Sequence, residues 1–177
     1  MAREYFITFR CHGTWLHGDA QGSVDRDHNV WGTPLLPPDP ARRSRENRDL
    51  KQPPVALDAQ QRFIVDRTLR EVCAHRGWTV HALNVRSTHV HLVVRADAEP
   101  ERVMNDCKAY ATRRMREAGV LASDLQPWSY HGSTKHLITS DGFQAAVRYT
   151  NQEQGDPLEM TCPPGWCANT IRKLPPQ

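Results

Sequence analysis

Two histidines and one tyrosine carry the chemistry that this sequence can offer. His89-Val90-His91 lies in an apolar run that continues through Leu92-Val93-Val94. In a strand, residues two apart face the same side, so both imidazoles point one way and Val90 points the other. Two parallel imidazoles suit a divalent metal. The same spacing also occurs as two polar residues on a solvated sheet face, so the pair is not decisive by itself. Tyr149 sits near the end of the chain's last helical pattern, followed by Asn151, Gln152, Glu153 and Gln154. Residues four apart share a helix face. Tyr149 and Glu153 are therefore expected to look outward together, a hydroxyl nucleophile beside an oxygen ligand. The alternative for a lone helix tyrosine is a ring packed on the sheet.

The elements that must position these groups can be read from periodicity. Tyr5 to Cys11 is aromatic and β-branched, as strands are. From 13 to 54 the chain is dominated by Gly, Pro, Asp, Asn and Arg, with prolines at 34, 37, 38, 40, 53 and 54. It reads as a long loop insertion whose prolines break any helix. Asp58 has the chemistry of a helix N-cap, and Phe63, Ile64, Val65, Leu69, Val72 and Cys73 then recur at helical spacing up to Gly77. Trp78–Val85 and His89–Val94 are two strands joined by a short turn. Pro100 to Ala118 is a helix, Lys135–Thr139 a short strand, and Asp141 to Gln154 a helix stopped by Gly155. This order predicts an α+β, ferredoxin-like split βαβ fold: an antiparallel sheet with helices packed on one face. The domain spans 1–156, and 157–177, with five prolines, is an irregular tail.

Several of these stretches together resemble one family. Asn84 to Val94 is similar to the His-hydrophobic-His strand of single-strand DNA transposases, the insertion-sequence and REP-associated tyrosine transposases. Lys108 to Arg114 resembles their following helix, and Trp128 through Gly132 with His136-Leu137-Ile138 their next passage. Arg148 to Gly155 resembles their tyrosine helix, and Phe6 to Arg10 their first strand. The resemblance runs in order over most of 5–155. It implies that His89 and His91 bind Mg²⁺ or Mn²⁺. It also implies that Tyr149 attacks a DNA phosphate, giving a 5′-phosphotyrosine and a free 3′-OH. The family's third ligand is Gln or Asn four residues after the tyrosine. That position is Glu153 here, a sound ligand for a hard cation, with Gln152 or Gln154 serving instead if the helix end differs. Thr88 replaces the family's usual Asn. Relatives include dimers with shared sites and monomers, so a homodimer stays open.

The physical logic is independent of the name. A phosphodiester's charge repels nucleophiles, a divalent ion neutralises it, and a phosphotyrosine conserves the bond energy for rejoining. Single-stranded or hairpin DNA is the expected partner. Two other readings are a catalytically impaired DNA-binding module on the same fold, which the change at 153 favours, and a phosphodiesterase that uses water.

The basic residues fit this partner. Arg42, Arg43, Arg45, Arg48 and Lys51 fall within ten positions and suggest a phosphate-binding arm; Lys108, Arg113 and Arg114 make one helix basic. Trp15, Trp31 and Trp128 are candidates for stacking on unpaired bases. The net charge of +3 and pI near 8.7 permit nucleic-acid binding without demanding it. The 177 residues suit one compact domain. Mean hydropathy is −0.67 and no stretch nears the roughly 18 apolar residues of a membrane span. Met1-Ala2-Arg3-Glu4-Tyr5 lacks the pattern of a signal peptide, so a cytoplasmic place is expected. Five cysteines, an odd number, are expected to be reduced thiols.

Overall fold

The structure, a computed structural model, describes residues 1–20 and 36–166. Its elements are β1 (Arg3–Cys11), α1 (Pro40–Arg48), α2 (Ala59–His75), β2 (Thr79–Val85), β3 (His89–Ala96), α3 (Pro100–Glu117), β4 (Trp128–His136) and α4 (Ser140–Gln152). The four strands form one antiparallel sheet in the order β2-β3-β1-β4. Setting α1 aside, this is the expected split βαβ plan.

Alternation on β1 explains the layers. Tyr5, Ile7, Phe9 and Cys11 are buried, and the residues between them are half-buried on the other face. The first set joins Val90, Leu92 and Val94 of β3 and the apolar stripes of α2 and α3 in the main core. Burying each such side chain contributes about 1.5–3 kcal/mol. α2 starts on a capping box: Asp58 accepts from the Gln61 N–H, and Gln61 accepts from the Asp58 N–H.

The opposite face is only partly covered, and here the structure departs from the expected one-sided arrangement. α4 packs on it, placing Ala146, Phe143 and Val147 against Phe6, Ala82 and Val93. The reason lies in sequence detail. Phe6 and Val93 are apolar residues on the side of the sheet that the main core does not use, and they need their own cover. The Asn84 side chain donates to the Thr150 carbonyl at 2.8 Å and ties α4 to the sheet.

Two other boundaries differ. The stretch read as a loop without helix contains α1, because Pro40 stands at its first position, where no N–H is needed. Asp39 caps it, accepting from the N–H groups of Ala41 and Arg42 at 3.0 and 2.9 Å. Residues 21–35 of that insertion, with Trp31, and residues 167–177 of the tail lie outside the described residues. The last strand covers 128–136 rather than 135–139. It is a polar edge strand whose sequence lacks apolar alternation, and Thr139 instead caps α4 through its side chain, which accepts from the Gly142 N–H. At Gly132 this strand crosses close to its neighbours. A Cβ there would sit 2.6 Å from the Thr8 carbonyl oxygen and 2.5 Å from Met104 Sδ.

Cys11, Cys73 and Cys107 are free and buried, whereas Cys162 is disulfide-bonded, contrary to the expectation of reduced thiols throughout. The described part of the tail touches α2 on either side of Cys162. Arg62 donates to the Glu159 carbonyl at 2.7 Å, and Trp166 meets the Phe63 ring edge-on. Among the described residues no helix is long and apolar enough to cross a membrane.

Candidate active site

The register of β1 with β3 sets the site. His89 lies opposite Arg10, and His91 opposite Thr8. Residues directly opposite in an antiparallel pair share a face, so all four side chains project from the sheet face that α4 only partly covers. The two imidazole centroids are 4.7 Å apart. His91 Nδ1 is hydrogen-bonded with the Thr8 hydroxyl at 2.8 Å, and His89 Nδ1 with the Thr88 hydroxyl at 3.0 Å. A proton on each Nδ1 leaves the Nε2 lone pairs for a ligand.

α4 delivers the tyrosine. Ala146 and Thr150 are buried against the sheet. Tyr149, three residues after Ala146, therefore sits at the rim of the packing face. Its ring meets His91 edge-on at 5.3 Å and Phe6 at 5.9 Å, and 40% of the residue stays exposed.

The helix end decides which side chain completes the group. α4 stops at Gln152, and Glu153 has left the helical path, with φ −107° and ψ 16°. Its carboxylate turns outward to Arg148 at 3.2 Å and does not line the cavity. Gln154 turns inward instead. Its Oε1 lies 3.4 Å from His89 Nε2, and its Nε2 donates to the Tyr149 carbonyl at 3.2 Å. The positive φ of Gly155, +74°, and an Arg86 bond to the Asp156 carbonyl at 2.7 Å hold this turn. The i, i+4 pairing of Tyr149 with Glu153 does not form because it assumes a helix that continues to Gln154, two residues further than it does.

These groups line a cavity of about 500 Å³, bounded by Arg10, Thr14, Trp15, Asp19, Ala20, Thr88, His89, His91, Tyr149 and Gln154. Burial lowers the pKa of His91 to about 4, and the neighbouring His89, Arg10 and Arg86 push the same way against Gln154. Burial also lowers that of His89. Both rings are thus held neutral at ordinary pH, the form that ligates a metal. No group of three or more His, Cys, Asp or Glu that could hold a metal occurs among the described residues. The oxygen donor that stands beside the two imidazoles is the Gln154 amide.

The basic residues divide. Lys108 is a correction: it is buried, and its ammonium donates to the carbonyls of Ser129, Tyr130 and His131 at 2.9, 3.2 and 3.2 Å. It secures the start of β4. Burial lowers its pKa to about 8. Arg114 pairs with Glu71 and Glu117, and Arg113 lies over the Tyr110 ring at 5.2 Å. Both stand on α3, across the sheet from the cavity. Arg42 pairs with Glu46 and Arg43 with Asp19 of the cavity wall. Arg45, Arg48 and Lys51 are exposed. Trp128 packs edge-on against Phe9 and bonds to Lys108 and Thr112 of α3, so it pins β4; Trp15 does face the cavity. Sequence reasoning missed Arg10 and Asp19. The alternation that put Thr8 and Arg10 on one face was available, but not the register against β3.

Residues 55–130 match the sequence family described as Transposase IS200 like. The matched segment is less than half of the chain. It carries the His89/His91 strand of the site, while Tyr149 and Gln154 lie beyond it. Two solved structures are similar to the chain. A REP-associated tyrosine transposase bound to a REP hairpin shares 10% identity at a TM-score of 0.45, with 84% of this chain and 64% of that one covered. The present chain thus spans less than two thirds of that protein. A crystal structure described as that of a transposase candidate from Deinococcus radiodurans R1 shares 16% identity at a TM-score of 0.45, with 91% of this chain and 94% of that one covered. No curated protein matches.

Proposed function

We propose that the chain is a transposase-type DNA strand transferase that nicks and rejoins single-stranded or hairpin DNA through Tyr149. The observation that carries this reading is the convergence of His89, His91, Gln154 and Tyr149 from two elements far apart in sequence onto one cavity. The family match of the histidine strand supports it.

The residues fit a divalent ion, Mg²⁺ or Mn²⁺. His89 Nε2, His91 Nε2 and Gln154 Oε1 would hold it, and it would neutralise phosphate charge when bound. Mixed nitrogen and oxygen donors suit such an ion. Gln154 answers the departure at 153, which had favoured a module without chemistry.

The chain's own residues do the rest. Tyr149 Oη loses its proton to solvent and attacks phosphorus. The bond from phosphorus to Oη forms, the bond from phosphorus to O3′ breaks, and the 3′ oxygen leaves and takes up a proton. Attack by a 3′-OH on the phosphotyrosine reverses the step without an energy source. A free phenol has a pKa of about 10 and is a weak nucleophile; Arg10 lines the same cavity as Tyr149. Phe6 and His91 hold the ring edge-on and limit its rotation.

Incubation of the full chain with single-stranded or hairpin DNA and Mn²⁺, followed by denaturing electrophoresis, tests this. The wild type should leave a covalent protein–DNA adduct. Tyr149→Phe should leave none, while binding DNA about as well, since the ring's packing is kept. Adduct formation by the phenylalanine variant near the wild-type rate would remove Tyr149 from the chemistry.

A further inference from the structure

Arg10 occupies an unusual position for an arginine. It projects from near the end of the inner strand β1 into the cavity, opposite His89, and is about half-buried. Its guanidinium carbon lies 3.9 Å above the Trp15 ring. That stacking fixes one face of the planar group and leaves its edge, where the N–H donors are. Among the described residues no hydrogen bond or ion pair uses those donors. The carboxylate nearby is engaged elsewhere: one oxygen of Asp19 pairs with Arg43, and the other accepts from the Leu16 N–H at 2.9 Å. An arginine desolvated in this way, with idle donors and a neighbouring acid already neutralised, is arranged for an anion that comes from outside.

We propose that Arg10 is a phosphate-binding residue of this site: Trp15 steadies its guanidinium, and its free edge takes a non-bridging oxygen of the phosphodiester that faces Tyr149. The fork of a guanidinium matches two phosphate oxygens in geometry, which a lysine cannot do. Arg43 has a supporting part, since it withholds Asp19 from Arg10. The proposal rests on the strand-transfer reading for the identity of the ligand, but its chemistry can be tested without DNA.

The probe is inorganic phosphate, titrated into the full chain in the presence of a chelator and followed by phosphorus NMR line broadening. The wild type should bind it. Arg10→Met keeps an apolar stem against Trp15 and removes every donor; it should weaken binding about tenfold or more, with Arg10→Lys falling between. Equal binding by wild type and Arg10→Met, or no binding by the wild type, overturns the assignment. Thermal melting of both variants checks that the fold persists, and a methionine variant that melts like the wild type yet binds phosphate equally well is decisive against it. A second arm measures the covalent adduct on single-stranded DNA. Absence of the adduct together with Arg10-dependent phosphate binding would leave Arg10 as an anion site and remove the strand-transfer reading instead.

Discussion

At the scale of single residues, the assignment that matters most is Gln154 over Glu153. A carboxylate is the stronger ligand in general, but this one points away from the histidines and is half-exposed beside Arg148. An exposed pair of that kind contributes about 0–1 kcal/mol, so nothing important is lost with it. Gln154→Ala should therefore weaken Mn²⁺ binding by about tenfold or more, a loss of about 1.4 kcal/mol per factor of ten, while Glu153→Ala leaves it nearly unchanged. Calorimetric titration of both variants checks this, and a larger loss for Glu153→Ala would return the third ligand to position 153. The threonines matter in the same way. Thr8 and Thr88 orient the two imidazoles through Nδ1, so the smaller residue at 88 is compatible with a metal pair.

At the scale of elements, α1 changes what the basic cluster can do. A helix displays its arginines on different sides, and two of the five cations are occupied by Glu46 and Asp19. Arg45, Arg48 and Lys51 carry the exposed charge. Each phosphate neutralised on a single strand lowers the slope of log affinity against log salt by about 0.7, so replacing these three with Ala should flatten it by about 2. The adduct rate at saturating DNA should hold. Titrations of labelled single-stranded DNA at several salt concentrations measure the slope, and an unchanged slope would mean that α1 faces solvent only. Replacing Arg43 is a different experiment, because it releases Asp19 into the cavity wall. The polar edge strand β4 shows a related lesson. It is held by register, by Gly132 and by the buried Lys108, rather than by an apolar pattern of its own.

At the scale of the whole molecule, the buried histidine makes global stability depend on pH. His91 is only 5% exposed, and its pKa falls from the ordinary 6.5 to about 4 in the folded chain. The unfolded chain therefore binds more protons between those values, and stability rises with pH there. The contribution is fully present above about 6.5, is lost as pH falls toward about 4, and then levels; in size it is on the order of 3 kcal/mol. Urea unfolding in chelator at pH 7 and pH 4 should show this loss, and His91→Gln should remove most of it. A mutant as pH-sensitive as the wild type would place the effect elsewhere. The sequence by itself determined the strand and helix order, the split βαβ plan, and the shared face of His89 and His91. These follow from periods of two and about 3.6 residues, which are local. It also carried the family resemblance that the match at 55–130 bears out. Only the tertiary structure decided that α4 covers the second face, that Gln154 rather than Glu153 meets the histidines, that Lys108 is buried, and that Arg10 stands opposite His89. Each of these depends on register between strands or on where a helix stops, and both are settled by packing among residues distant in the chain.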